Sequence, residues 1–211
     1  MIGNASHNYA SNFGFAPKRL ELYGPFHSYA RSNWISLSRG LTTTSTTWPR
    51  LEGLVRLDFM DARNEYKCGD SQMFPWRSDT PRPLSDKILG WAICNEHLPL
   101  LDLGMIWHQD LSTPLDDYEG LQPLFLAAKR GCVDVFRRLY VRKSAWPKAA
   151  STKSGRTALH YAAEQGHSEI VDLLLRSNKA GNTEAVTFRD YKNRTPFELC
   201  LLYTSPSPRD S

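Results

Sequence analysis

The sequence lacks long apolar runs. No stretch approaches the roughly 20 consecutive apolar residues that a membrane-spanning helix needs. Residues 1–17 contain no basic segment followed by an apolar one, which is the pattern of a secretory signal. These absences predict a soluble protein with no membrane contact, which stays inside the cell in the cytoplasm or the nucleus.

Motifs of catalysis and metal binding are also missing. The cysteines lie far apart without a C-x-x-C pair: Cys68, Cys94, Cys132 and Cys200. Gly155-Arg156-Thr157 resembles the end of a phosphate-binding loop, but Ala150 stands where that motif needs glycine and Arg156 where it needs lysine. The sequence therefore predicts no enzymatic activity, no metal and no cofactor.

What the sequence does contain is a repeat. Residues 123–140 read PLFLAAKRGCVDVFRRLY and residues 157–175 read TALHYAAEQGHSEIVDLLL, and Leu124 matches Leu159 at an offset of 35 residues. The segment ILGWAICNEHLPLLDL falls in register another 35 residues upstream, and DYKNRTPFEL restarts the pattern downstream. Because neither apolar segment of a unit is long enough to be stable alone, stacking of neighbouring units must supply the burial.

The motif Thr157-Ala158-Leu159-His160-Tyr161-Ala162-Ala163, followed by Gly166-His167, resembles the signature of the ankyrin repeat family. The resemblance implies an all-α solenoid of helix-turn-helix stacks with short hairpin loops. It covers residues 83–199, with units at 83–116, 117–151 and 152–189 and a partial unit at 190–199. The first unit departs from the pattern, with Glu96 in place of the turn glycine and Gly104 in place of a helix leucine.

The resemblance also assigns structural roles to one set of residues: Thr157, Leu159, His160, Ala162, Ala163 and Gly166. His160 is expected to form a hydrogen bond within its turn, with Thr157 as its local partner, and to connect neighbouring units. His97, His108 and His167 are scattered singly, and we interpret them as surface or turn histidines.

The residues before the repeats are expected to be organised differently. Residues 1–24 are expected to be irregular or disordered, 25–60 to form a helical connector or cap, and 61–82 to form a linker. One helix is predicted from Pro25 to Gly40, with Leu37 on its apolar face, and a second from Trp48 to Met60. This segment is similar to the connector that joins NACHT-type nucleotide-binding domains to ankyrin arrays, and a simple capping helical pair explains it equally well.

Ankyrin arrays bind protein partners through hairpin tips and the inner face of their first helices. By resemblance, the candidate partner-binding residues are Tyr118, Glu119, Leu121, Gln122, Phe125, Lys129, Lys153, Ser154, Arg156, Tyr161 and Gln165. Basic residues concentrate between 129 and 153, and a possible acidic partner would meet Lys129, Arg130, Arg137, Arg138, Arg142 and Lys143. The alternative for these side chains is a solvated outer face. The overall charge of +4 is too small by itself to predict a nucleic-acid partner.

The last residues break the repeat pattern. Residues 200–210, CLLYTSPSPRD, look like the translation of a transposase sequencing adapter, so 200–211 is predicted to be an artefactual tail. The chain is accordingly expected to fray from Thr195 onwards and to be disordered after Leu202.

The sequence as a whole predicts a non-enzymatic protein–protein interaction module built on an ankyrin scaffold. One alternative is the ligand-sensing C-terminal fragment of a NACHT-type signalling NTPase that lacks its nucleotide-binding domain. Another is an anion or nucleic-acid binder that acts through the basic segment at 129–153.

Overall fold

The computed structural model describes residues 33–61, 83–108, 110–142, 154–177 and 186–204 of the chain. The chain forms two compact units, Met1–Ser38 and Arg39–Ser211. In the first unit, the described residues 33–38 are helical, and the Ser38 hydroxyl donates to the Ile35 carbonyl at 2.9 Å. Leu37 is exposed, contrary to its predicted place on an apolar face. The expectations for residues 1–32 and for residues 62–82 of the linker predicted at 61–82 lie outside the described residues, and Asp61 belongs to the helix before it.

The second unit is helical throughout its described ranges, apart from loops and one isolated antiparallel bridge between Leu115 and Leu121. The helices are α1 (Trp48–Asp61), α2 (Leu84–Cys94), α3 (Leu98–Trp107), α4 (Pro123–Arg130), α5 (Val133–Arg142), α6 (Ala158–Glu164), α7 (Ser168–Ser177) and α8 (Pro196–Thr204). A 3-10 turn spans Asp116–Tyr118. Helix α1 agrees with the helix predicted from Trp48 to Met60, and it buries Trp48, Leu51 and Val55.

Helices α2 to α8 are arranged in two layers. In the inner layer, α2 packs on α4, α4 on α6 and α6 on α8, whereas in the outer layer α3 packs on α5 and α5 on α7. Each of α2, α4 and α6 also packs against the outer helix that follows it in the chain. This is the two-layer stack that the 35-residue repeat predicts, and it buries apolar surface that short single helices could not bury alone.

The turn between the helices of a unit needs a residue with positive φ. Gly131 and Gly166 supply it with φ values of 76° and 73°, and Glu96 adopts 52° in the first unit although it is not glycine. Gly131 is required for a second reason, because a Cβ atom there would lie 2.5 Å from the His167 ring. The first unit therefore forms the same left-handed turn with Glu96 in place of glycine.

Close packing also accounts for Gly104, the other departure of the first unit. A Cβ atom on Gly104 would lie 3.2 Å from the backbone and side chain of Leu89. Glycine therefore lets α3 approach α2 more closely than the leucine of the repeat pattern would.

Helix α8 corrects the expectation of fraying. It begins at Pro196 and continues past Leu199 to Thr204, with Leu199 fully buried against its neighbours. The physical reason is its packing on α6, which stabilises the helix from one side. On its other side, Phe197 is 63% exposed, whereas Leu159 at the same repeat position is 6% exposed, because no described helix packs beyond α8.

Candidate partner-binding surface

One position of the repeat is occupied by a different residue in each inner helix: Gly90 in α2, Phe125 in α4, His160 in α6 and Glu198 in α8. His160 is fully buried, and its Nδ1 lies 3.2 Å from the Thr157 backbone N–H and 2.8 Å from the Thr157 hydroxyl. Its Nε2 lies 3.1 Å from the Arg194 carbonyl in the next unit. The imidazole therefore accepts at Nδ1 and donates at Nε2, which joins two units.

Burial lowers the pKa of His160, although its hydrogen bond to the Arg194 carbonyl acts in the opposite direction. Only the neutral ring can accept at one nitrogen while donating at the other. In the last unit, Glu198 forms the equivalent hydrogen bonds within its own turn. Its carboxylate accepts from Thr195 N–H at 2.8 Å, and Thr195 Oγ1 accepts from Glu198 N–H at 3.3 Å. This reciprocal arrangement is a capping box at the start of α8.

The loop at residues 115–121, here called the first tip, is fixed by an aromatic ring. A Cβ atom on Gly90 would lie 2.0 Å from the Tyr118 ring, so Tyr118 occupies the space that a side chain at position 90 would need. Burial, followed by the charges of Cys94 and Asp117, raises the pKa of Tyr118 to about 12. The tyrosine remains neutral and half-buried, and its ring positions the first tip on α2.

The loop at residues 190–194, here called the last tip, has a tyrosine at the same distance before its helix. Tyr118 precedes Pro123 by five residues, and Tyr191 precedes Pro196 by five. The Tyr191 ring packs over Gly155, where a Cβ atom would lie 2.5 Å from it, yet 74% of the residue is exposed. Its N–H donates to the Ser154 carbonyl at 3.1 Å. The last tip thus presents an exposed aromatic ring on a fixed backbone.

A buried carboxylate holds the last tip in shape. Asp190 Oδ1 accepts from the N–H groups of Lys192 and Arg194, both at 2.9 Å, and Oδ2 accepts from the Arg194 guanidinium at 2.9 Å. Burial alone would raise the pKa of Asp190, but these hydrogen bonds and the Arg194 charge lower it to about 2. Arg156 lies 3.4 Å from the same carboxylate and donates to Glu164 at 2.7 Å, which connects the loop to α6.

The structure reduces the candidate partner-binding set. Leu121, Phe125 and Tyr161 are buried, so their side chains do not present surface to a partner. Phe125 occupies the His160 position of its unit, and its ring lies 5.9 Å from the Tyr161 ring. Arg156 is engaged with Asp190 and Glu164 and is 15% exposed. The remaining described members are half-buried or exposed: Tyr118, Glu119, Gln122, Lys129, Ser154 and Gln165. Lys153 lies outside the described residues.

The basic segment does not form one patch. Lys129 pairs with Glu119, Arg138 pairs with Asp102 and Arg137 lies 3.9 Å from Glu169. These acids come from other parts of the repeat, so a count along the sequence misses them. Arg130 ends α4, while Arg142 ends the returning helix α5. Since α5 has 10 residues, it separates these two charges by about 15 Å. Lys143 lies outside the described residues.

Of the three histidines expected on the surface or in a turn, His97 is buried, whereas His108 and His167 are half-buried. His97 is fully buried and its Nδ1 accepts from Leu100 N–H at 3.2 Å, which caps α3. His167 donates toward the Lys129 carbonyl at 3.1 Å in the preceding unit. His108 contacts Thr113 at 3.0 Å and Asp86 at 3.6 Å. His97 and His167 occupy the same repeat position, directly before the second helix of their units, although their ring nitrogens bond to different groups.

The Cys132 thiol is buried. Burial, with a further effect of the Glu96 charge, raises the pKa of the Cys132 thiol to about 12, so this thiol stays protonated. Within the described ranges, no group of three or more His, Cys, Asp or Glu side chains is arranged to hold a metal ion. None of the described helices combines the length and apolar character needed to cross a membrane.

Comparison with protein families identifies the repeat. The family described as "Ankyrin repeats (3 copies)" matches residues 89–200, which is just over half of the chain. The chain belongs to the ankyrin repeat family. No curated protein matches it. Ankyrin repeats are generally protein–protein interaction modules, and proteins of this family are typically non-enzymatic scaffolds. The matched range contains both tips and all of the helices from α3 to α7.

The sequence reasoning missed several exposed residues in the last tip and directly before it. Arg189, Tyr191 and Lys192 are exposed beside the buried Asp190. The signal was present in the spacing of the tyrosines before Pro123 and Pro196. This spacing was missed because the last unit was treated as interrupted. In the structure the loop of that unit is closed, since the Asp190 N–H donates to the Arg194 carbonyl at 2.9 Å.

Proposed function

We propose that this ankyrin array binds a protein partner through its hairpin tips and the exposed ends of its inner helices. The observation that carries the proposal is Tyr191, a large aromatic side chain that is mostly exposed but attached to a rigid loop. Tyrosine is enriched among the residues that dominate protein–protein binding energy.

Rigidity matters because binding costs less when the surface is already ordered. The last tip is ordered by the Asp190 carboxylate and by the ring contact of Tyr191 with Gly155. The first tip is ordered by Tyr118 on Gly90. Both loops therefore hold their exposed side chains in place before a partner arrives.

The two tips differ in charge. Glu119 is exposed on the first tip, although its carboxylate pairs with Lys129, whereas Lys192 is exposed on the last tip. Arg189 is exposed just before the last tip and lies 3.8 Å from Glu198. Gln165 is exposed directly after the C-terminal end of α6. A partner that spans these tips would be selected by the pattern of charge as well as by the aromatic ring.

Photo-crosslinking from the last tip tests the proposal. A Tyr191→p-benzoylphenylalanine variant should capture a specific protein from an extract of the source cells, and the same substitution at the exposed Asp134 on α5 should not capture it. With the captured protein purified, Tyr191→Ala should weaken binding by about 10- to 100-fold. Equal affinities of the wild type and Tyr191→Ala for that protein would contradict the proposal.

Two other functions are less well supported by the described residues. Anion or nucleic-acid binding through the basic segment is disfavoured because Lys129, Arg137 and Arg138 each lie within ion-pair distance of an acid. A ligand-sensing role within a NACHT-type protein would use the same tips and would add a nucleotide-binding domain. A P-loop in upstream coding sequence would support that role.

A further inference from the structure

The last inner helix leaves two apolar repeat positions uncovered. On α8, Phe197 is 63% exposed and Leu201 is 52% exposed. Each follows its counterpart in α6, Leu159 or Ala163, by 38 residues, and both counterparts are buried. The same two positions are also buried in the earlier inner helices: Leu124 and Ala128 in α4, and Leu89 and Ile93 in α2.

The last outer helix shows the same change. Leu175 on α7 is 44% exposed, and Val171, one turn earlier on the same face, is half-buried. Among the residues at these two positions in α5 and α3, Tyr140 is half-buried and the others are buried: Phe136, Leu101 and Met105. These positions are therefore better covered where another unit follows. We call Val171, Leu175, Phe197 and Leu201 the end surface.

The end surface is a surface on which the next unit of an array would pack. Each inner helix packs on the following inner helix, and each outer helix packs on the following outer one. Among the helices α1 to α8, none packs beyond α7 in the outer layer or beyond α8 in the inner layer. Because repeats bury such surfaces against their neighbours, the occupant that fits the end surface is another ankyrin unit.

The charges of these two helices do not favour a charged partner. The charged side chains on the described parts of α7 and α8 lie within 4 Å of an opposite charge: Asp172 with Arg176 at 2.9 Å, Glu169 with Arg137 at 3.9 Å and Glu198 with Arg189 at 3.8 Å. An acidic or basic partner would therefore meet no excess of one sign there. A second copy of the chain would meet little like-charge repulsion.

The opposite end of the array offers no matching apolar surface. None of the described side chains of α2 is a large, exposed apolar residue. A head-to-tail contact would therefore leave the end surface without an apolar counterpart. A contact between two end surfaces places the same apolar residues against each other, and such a two-fold contact stops at a dimer.

We propose that two copies of this chain form a two-fold dimer in which their end surfaces pack against each other. The four residues expose about 300 Å² per copy, of which Phe197 contributes on the order of 100 Å². Since a standard interface buries about 800 Å² per partner, the dimer should be weak, with a Kd of about 10 μM.

This interface is separate from the surface proposed to bind a protein partner. The end surface shares no residue with the tips and does not depend on the function proposed for them. Val171, Leu175 and Phe197 also precede residues 200–211, so most of the end surface does not depend on the predicted artefactual tail.

Sedimentation velocity at chain concentrations between about 1 and 200 μM measures the dimer. The weight-average mass should rise from that of one chain toward that of two. Phe197→Asp and Leu175→Asp place a charge in the contact from two different helices, and each should weaken the dimer by at least about tenfold.

Two matched controls lie outside the end surface. Ile106→Asp on α3 and Val141→Asp on α5 change apolar residues that are 54% and 83% exposed, and neither should alter the dimer. Because all four substituted residues are exposed, the variants are expected to fold, and their urea midpoints check this.

Photo-crosslinking identifies which part of the second copy is in contact. A Phe197→p-benzoylphenylalanine variant is mixed with isotope-labelled chain, so that crosslinks between copies can be distinguished by mass. These crosslinks should fall within α7 and α8. Crosslinks to α2 or α3 of the second copy would show head-to-tail stacking and overturn the two-fold arrangement.

Three further outcomes would overturn the proposal. A monomeric mass over the whole concentration range would show that the end surfaces do not associate. Equal weakening by the end-surface and control variants would place the contact elsewhere. Crosslinks confined to one chain, at residues 178–185 or 205–211, would make the occupant a segment of the same chain.

Discussion

Replacing Asp190 with asparagine removes one negative charge from a buried site while keeping the shape of the side chain. The Asp190 side chain is 1% exposed and accepts hydrogen bonds from two backbone N–H groups and from the Arg194 guanidinium. An amide oxygen can still accept from the backbone, but the amide nitrogen would face the guanidinium groups of Arg194 and Arg156 as a donor facing donors. The substitution should therefore weaken the junction between α6 and α8.

The size of the effect follows from the shift in pKa. The pKa of Asp190 falls from 3.8 to about 2, and one unit corresponds to about 1.4 kcal/mol, which gives a contribution of about 2 kcal/mol at neutral pH. Because the folded-state pKa lies below the unfolded-state value, this stability is present above about pH 4 and is lost as the pH falls toward 2. Asp190→Asn should accordingly lower the free energy of unfolding by about 2 kcal/mol at pH 7.

Urea unfolding at several pH values, with hydrogen exchange of the α8 amides, measures the effect. The difference between the wild type and Asp190→Asn should shrink as the pH falls from 4 toward 2, because protonation removes the same charge from the wild type. Asp172→Asn is the matched control, since Asp172 forms an exposed pair with Arg176 that is expected to contribute less than about 0.5 kcal/mol. A loss below 0.5 kcal/mol at pH 7, or a difference independent of pH, would refute the reasoning.

Two further predictions concern other junctions of the array. His160→Ala should lower the free energy of unfolding by about 1–3 kcal/mol, because the buried Thr157 N–H and the Arg194 carbonyl lose their hydrogen-bond partner. The control Gln165→Ala, on the adjacent exposed turn, should change the free energy of unfolding by less than about 0.5 kcal/mol. Similar urea midpoints for both variants would contradict the role of His160. Arg138→Glu should destabilise by more than about 1 kcal/mol, since it places a second negative charge against Asp102, which is 11% exposed. Arg137→Glu should have little effect on stability, and equal unfolding free energies of the two arginine variants would show that Asp102 is not held by Arg138.

Much of the fold could be predicted because the repeat occurs within short segments. The small and aliphatic residues around Ala162 and the glycine at 166 define a helix, a turn and a second helix without reference to distant residues. Such local patterns predicted the helix-turn-helix units and the stacking of neighbouring units. They also predicted α1 from its first residue, Trp48, since a polar loop and an apolar segment follow one another there.

The candidate site was predicted less well, because exposure depends on what neighbouring units contribute. Phe125 and Tyr161 were expected to face a partner, but the stack buries them against each other. Arg138 was counted as a free charge, but Asp102, 36 residues away, neutralises it. Tyr191 went unnoticed, although its exposure on a fixed loop makes it the main candidate contact.

The sequence by itself determined the repeat, its helices and turns, and therefore the family, because these depend on residues within a few positions of one another. Only the tertiary structure decided which side chains are exposed and which ones hold neighbouring units together. Stacking brings residues 28 to 36 positions apart into contact, and those contacts pair His160 with Arg194, Tyr118 with Gly90 and Arg138 with Asp102. Pairing between units depends on shape and distance across the interface, which no local pattern in the chain records.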